Sequence, residues 1–133
     1  MPTNIPSSHQ DLLDDDARAF AFLGTVMTDG SPQVTPVWFD VADGMIRINT
    51  ARGRTKYRNM RHRPRVALGI ADPKDPYRGL QIRGTVVGST EAGGRAHIDR
   101  LAKKYRGWET YPVPPGQVRV IFTIRIDSVS VND

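Results

Sequence analysis

Residues 49–61 read Asn-Thr-Ala-Arg-Gly-Arg-Thr-Lys-Tyr-Arg-Asn-Met-Arg, and candidate chemistry concentrates there. The segment opens as the end of a strand and continues as the start of a helix. A helix start leaves backbone N–H groups unpaired and carries the positive end of the helix dipole. A hydroxyl, a glycine and a ladder of cations at such a place suit an anion, because donors and field already favour negative charge. Cations there are otherwise unfavourable. Arg52, Arg54, Lys56, Arg58, Arg61, Arg63 and Arg65 follow one another with no acid between them. The same spacing fits a solvated basic helix face, and spacing alone does not choose between the two.

The flanking sequence predicts the elements that hold this segment. Ala19 to Met27 reads as a strand, dense in Phe20, Phe22, Leu23 and Val26, and Asp29-Gly30 as its hairpin turn. Gln33 to Val41 is the return strand. After Asp43-Gly44, Met45 to Thr50 alternates Met45, Arg47 and Asn49 against Ile46 and Ile48. The basic helix closes at Arg63-Pro64. Arg65 to Ala71 is a fourth strand, followed by a loop over residues 72–76 stiffened by Pro73 and Pro76. Leu80 to Thr90 is a fifth, with Gly84 and Gly88 marking bends or bulges. Ala96 to Arg106 is helical, with Ile98, Leu101, Ala102 and Tyr105 on one stripe. After a rigid loop from Pro112 to Pro115, Arg119 to Val131 is the last strand, with Val120, Phe122, Ile124 and Ile126 on one face. Ser7 and Ser8 are candidate caps for a short helix through Leu12 and Leu13. Six strands and a few helices predict a mainly β chain folded as a small antiparallel barrel. Residues 1–17 form an N-terminal extension and residues 18–133 the single domain.

Pro36 interrupts the second strand. Proline gives no ladder donor, so this strand is expected at an edge. A planar ligand or a second subunit would cover that edge; a plain solvent-facing proline is an equally common outcome.

The 133 residues suit one core, and the net charge of +5 suits an anionic ligand, a phosphate-bearing cofactor or nucleic acid. There is no cysteine, and His9, His62 and His97 are scattered without metal-ligand spacing, so no metal site is expected. No apolar run is long enough to span a membrane and no secretory signal is visible, so a cytoplasmic location is expected. A barrel that binds single-stranded nucleic acid has the charge and the aromatics in its favour. It is disfavoured because the cations gather at one strand–helix junction. Trp38 reads as packing, and Trp108 as a seal for the second helix rather than a lid. Tyr57 and His62 are candidate proton donors, although His62 reads better as a charge partner for its helix end.

The motifs Pro-Gln-Val-Thr-Pro-Val-Trp-Phe, Asn-Thr-Ala-Arg-Gly-Arg-Thr-Lys-Tyr-Arg-Asn-Met and Pro-Arg-Val-Ala-Leu, in that order, resemble the pyridoxamine-phosphate-oxidase-like split-barrel flavoproteins. The resemblance is closest to their actinobacterial branch that uses the deazaflavin coenzyme F-420. It implies a six-stranded antiparallel split β-barrel of Greek-key type, paired as a homodimer with cofactor sites at the interface. It implies that Thr35, Pro36, Val37 and Trp38 line the tricyclic ring, and that Asn49 and Thr50 lie beside the ribityl chain and phosphate. Arg54 and Lys56 match the phosphate positions, Lys56 most firmly. Arg54 stands where flavin mononucleotide (FMN) enzymes carry a small hydroxyl residue, which suits a longer polyanionic tail. Tyr77, Arg78 and Gln81 match residues contributed by the other subunit. Arg52, Arg58 or Arg78 would hold the carboxylates of a polyglutamate tail. The motif that recognises pyridoxamine phosphate is not visible, so a vitamin-B6 oxidase is disfavoured.

The implied function is an F-420-dependent oxidoreductase that reduces a small conjugated or heterocyclic substrate by hydride transfer. An FMN enzyme of the same fold and a non-catalytic F-420 carrier are the alternatives. Hydride transfer asks the protein for orientation and water exclusion more than for an acid or base. That agrees with the lack of any triad or carboxylate pair.

Overall fold

Strand periodicity decides which side chains enter the barrel. Ile46 and Ile48 alternate inward from one strand, Leu23 and Ala21 from another, and Phe122, Ile124 and Val120 from a third, all of them buried. The computed structural model describes residues 4–132; residues 1–3 of the expected extension and residue 133 of the expected domain lie outside it. Among the described residues seven strands form one antiparallel sheet. They are β1 (Ala21–Val26), β2 (Pro32–Val37), β3 (Phe39–Ala42), β4 (Met45–Ala51), β5 (Arg65–Asp72), β6 (Asp75–Thr90) and β7 (Arg119–Asn132). Their order is β2-β1-β5-β6-β7-β4-β3. Helix α1 (Thr55–His62) joins β4 to β5, and α2 (Gly94–Arg106) joins β6 to β7. Two 3-10 turns, Ser7–Leu13 and Asp15–Ala17, precede the sheet.

The expectation of six strands is corrected to seven, because the predicted strand Gln33–Val41 divides at Trp38. Its first half pairs with β1, Val37 opposite Ala21, and its second half pairs with β4, Phe39 opposite Ile48. Those partners lie toward opposite ends of the sheet order, so one straight strand cannot serve both. The chain bends at Trp38, and the two sheet edges meet there as a seam. Pro36 does lie on an edge strand.

The seam leaves backbone groups that no ladder can satisfy. Helix α2 supplies their partners. The Phe39 N–H donates to Tyr105 Oη at 3.3 Å, the Phe39 carbonyl accepts from Lys104 Nζ at 2.8 Å, and Tyr105 Oη donates to the Ala19 carbonyl at 2.7 Å. Burial raises the Tyr105 hydroxyl above its ordinary value, so it remains a donor.

Smaller differences have local causes. Asp72 pairs with Asp75, so the proline-rich loop is a tight turn and Pro76 already belongs to β6. Gly84 and Gly88 do mark register shifts between β6 and β7. Neither Ser7 nor Ser8 caps the first 3-10 turn: Pro6 holds the cap position, and the Ser8 hydroxyl meets His9 Nδ1 at 2.7 Å. Among the described residues no helix is long and apolar enough to cross a membrane, and no cluster of His, Cys, Asp and Glu suits a metal ion.

Candidate functional site

Gly53 (φ +94°) lets the chain reverse from β4 into α1. Arg54 takes the N-cap position, no side chain caps the helix and no acid lies in its first turn. The positive end of α1 is therefore left uncompensated. Beside it lies an open cavity of about 280 Å³. One wall is the seam, Pro36, Val37 and Trp38; the other end carries Asn49, Arg54, Lys56 and Arg119; Phe20, Ile98 and Tyr111 complete the lining.

The basic run divides by function. Arg52 pairs with Glu91 at 3.0 Å, the Arg58 guanidinium donates to the Gly53 carbonyl, Arg61 donates to the Tyr57 hydroxyl, and Arg63 donates to the Val26 carbonyl. The Arg52, Arg58 and Arg63 contacts tie down loops and strands, while the Arg61 contact stays within α1. The side chains of Arg54 and Lys56 face the cavity with no hydrogen bond or ion pair among the described residues. Burial, then the charges of Arg54 and Arg119, lower the Lys56 ammonium below the usual lysine range.

Arg119 is the residue that sequence reasoning missed. Only 6% of it is exposed, yet it has no carboxylate partner among the described residues. Its Nε donates to Asn49 Oδ1 at 2.8 Å, its Nη1 to Gln117 Oε1 at 3.0 Å, and its guanidinium carbon lies 5.3 Å from the Tyr111 ring centroid. Burial and the nearby Arg54 charge lower its pKa. A buried cation without a counter-charge is costly unless a ligand supplies one. Its only sequence signal is a charge at the head of the mostly apolar run from Val120 to Ile124.

Trp38 stacks on Tyr105 (centroids 5.3 Å, planes 9° apart) and meets Tyr111 edge-on at 6.0 Å. Phe20 stacks on the same Tyr105 at 5.3 Å. This aromatic ladder stiffens the seam wall.

The structure brings Pro36, Val37, Trp38, Asn49, Arg54 and Lys56 together at one cavity. Thr35 sits partly exposed on β2. Thr50 is fully buried, and its hydroxyl has no hydrogen-bond partner among the described residues. Within one chain Tyr77, Arg78 and Gln81 do not join the cavity. Tyr77 is exposed, and the Gln81 amide reaches Asn132 at 3.5 Å. Arg78 pairs with Asp11 at 2.6 Å and Asp72 at 3.0 Å, which raises its pKa and leaves its charge already matched. Tyr57 packs edge-on against Phe122, and His62 is exposed at the end of α1. Trp108 neither closes the cavity nor seals with its ring, which is 44% exposed beneath Arg106. Its backbone N–H instead closes the helix end on the Ala102 carbonyl at 3.4 Å.

An antiparallel barrel with a seam wall and an uncompensated cation cluster at a strand–helix junction defines the class. The family model for pyridoxamine 5'-phosphate oxidase matches residues 6–132, and the chain belongs to that family. Among solved structures it is similar to an F420 reductase, at 33% identity over 95% of this chain and 98% of that one, with a TM-score of 0.85. It also shares its fold with a conserved hypothetical protein from Mycobacterium tuberculosis (24% identity, 100% of this chain and 89% of that one, TM-score 0.71). The General Stress Protein 26 from Bacillus anthracis has the same fold at 16% identity, covering 93% of both chains, with a TM-score of 0.66. Among curated proteins none matches.

Proposed function

We propose that this protein is an oxidoreductase that uses coenzyme F-420 to reduce a small conjugated or heterocyclic substrate. The observation that carries the reading is the group of three cations, Arg54, Lys56 and Arg119, lining one cavity end with no acid among the described residues to match them. That is more positive charge than one phosphate requires, and it suits a phosphodiester with a carboxylated tail. Arg52, whose pairing with Glu91 is half-exposed and readily exchanged, would extend the binding track in this reading.

In this reading Arg54, Lys56 and Arg119 hold the phosphate, with Asn49 beside them. Thr35, Pro36, Val37 and Trp38 face the tricyclic ring, and Thr50 buttresses the phosphate end from inside the barrel. When bound, the deazaflavin supplies the hydride. The chain supplies orientation and a dry wall, so it needs no acid–base pair of its own. A cavity of about 280 Å³ is small for such a group. A second copy of the chain would complete it, bringing Tyr77, Arg78 and Gln81 to the rim. The exposed Phe22 on β1 and Val34 on β2, with Phe20 just before β1 at the cavity, favour that homodimer.

The test is side-by-side titration with F-420 and FMN by fluorescence quenching. Tighter binding of F-420 is expected. Equal or reversed affinity moves the assignment to an FMN enzyme of the same fold. Tight F-420 binding with no turnover across conjugated acceptors makes the protein a carrier.

A further inference from the structure

Arg119 is held by a buried chain of polar groups that runs away from the cavity. Asn49 Oδ1 accepts from Arg119 Nε at 2.8 Å, and Asn49 Nδ2 donates to the Gly94 carbonyl at 2.9 Å. A guanidinium only donates and a carbonyl only accepts, so these two partners fix which way the amide faces. The second Nδ2 hydrogen then points to His97 Nδ1, 3.1 Å away, which must offer a lone pair. His97 is therefore neutral and carries its proton on Nε2, which donates to Asp40 Oδ1 at 3.0 Å. Asp40 is in turn gripped by Arg47 at 2.6 Å and Arg100 at 3.0 Å. Asp40, Asn49, His97 and Arg119 are all buried, and His97 and Asp40 do not line the cavity.

We propose that His97, anchored by Asp40, is a positioning residue that sets the anion-binding guanidinium of Arg119 through Asn49. The proposal rests on the anion-site reading above. Without His97 the amide of Asn49 keeps its direction but loses its third anchor, so its oxygen is held less firmly against Arg119. The guanidinium is then less firmly set toward the cavity. The role differs from packing because it depends on one lone pair at one atom.

Three measurements test it, with FMN as the phosphate-bearing probe in calorimetry. Long-range nitrogen–proton correlation spectra of the parent should show His97 neutral and protonated on Nε2; protonation on Nδ1 overturns the relay. His97→Leu should bind the probe about three- to tenfold more weakly, while His97→Asn, which keeps an acceptor where Nδ1 was, should stay within about twofold. In an Arg119→Ala background His97→Leu should cause no further loss, because its effect runs through Arg119. If His97→Leu binds like the parent, or loses the same factor with and without Arg119, the relay is overturned while the anion site stands. A parent that binds neither FMN nor F-420, which replaces it as probe if FMN fails, overturns the anion site and the relay with it. Should His97→Leu not fold, His97→Gln replaces it: it can still donate to Asp40 but lacks the acceptor toward Asn49, and weaker binding is expected.

Discussion

Lys56 and Asp40 show how the same physics produces opposite behaviour in a half-buried ammonium and a fully buried carboxylate. Lys56 has no acid beside it among the described residues and is repelled by Arg54 and Arg119. Lys56→Ala should therefore weaken binding of a phosphate-bearing cofactor by ~1.5–3 kcal/mol, ten- to a hundredfold, while the apo protein melts no lower than the parent. Calorimetric titration beside a melting curve checks both halves, and unchanged affinity with normal melting would return Lys56 to the solvated face. Asp40 is the reverse case. Burial pushes its carboxyl up, but hydrogen bonds from His97 and Arg47, with the Arg47 charge, outweigh that and hold it well below the usual carboxylate range. The unfolded chain takes up this proton near pH ~3.9 while the native state keeps it off. The stability it contributes is thus complete above that pH and is lost as pH falls below it. Asp40→Asn should cost roughly 3 kcal/mol at neutral pH and flatten the acid limb of the stability curve. Denaturant melts between pH 3 and 7 would reveal an undiminished acid limb if Asp40 were not the cause.

At the scale of elements, Gly94 limits how α2 may dock. A Cβ there would lie 2.1 Å from the Arg119 carbonyl oxygen, so helix and strand touch backbone to backbone. Gly94→Ala must displace one of them and should destabilise the fold by about 3 kcal/mol or more. It should also weaken anion binding, since the moved strand carries Arg119. A variant that melts like the parent would mean the approach is looser than this.

Most elements were legible because their signals are local. The Ile46/Ile48 and Phe122/Ile124 alternations, the Gly84 and Gly88 bulges and the edge position of Pro36 all lie within short windows. The break at Trp38 was not, because it arises from pairing with β1 and β4 at once, and no short window contains both partners. The cation cluster was legible as a run but not as a site. Which cations are consumed by Glu91, Gly53, Tyr57 and Val26 depends on tertiary contacts. Arg119 follows its partner Asn49 by 70 positions, and no sequence period links them.

For the whole molecule, the outer face of β1 and β2, with the residue that leads into β1, leaves Phe20 and Phe22 about half exposed and Val34 65% exposed. An apolar face beside an edge strand is an aggregation hazard unless covered. We expect a homodimer stable at micromolar concentration, with Phe22→Asp shifting it to monomer in sedimentation velocity and weakening cofactor binding in parallel. A monomeric parent would remove the second subunit from the site.

The seam at Trp38 also has a kinetic consequence. Two sheet edges fastened by Tyr105 and Lys104, rather than by a ladder of backbone bonds, part when one helix lifts. The Phe39 amide should then exchange with solvent through undocking of α2, at a lower free energy than amides in the central strands. A ligand lying against Trp38 would leave by the same event, so Tyr105→Phe should quicken both amide exchange at Phe39 and cofactor release. The barrel's weakest join would thus govern how long it keeps what it holds.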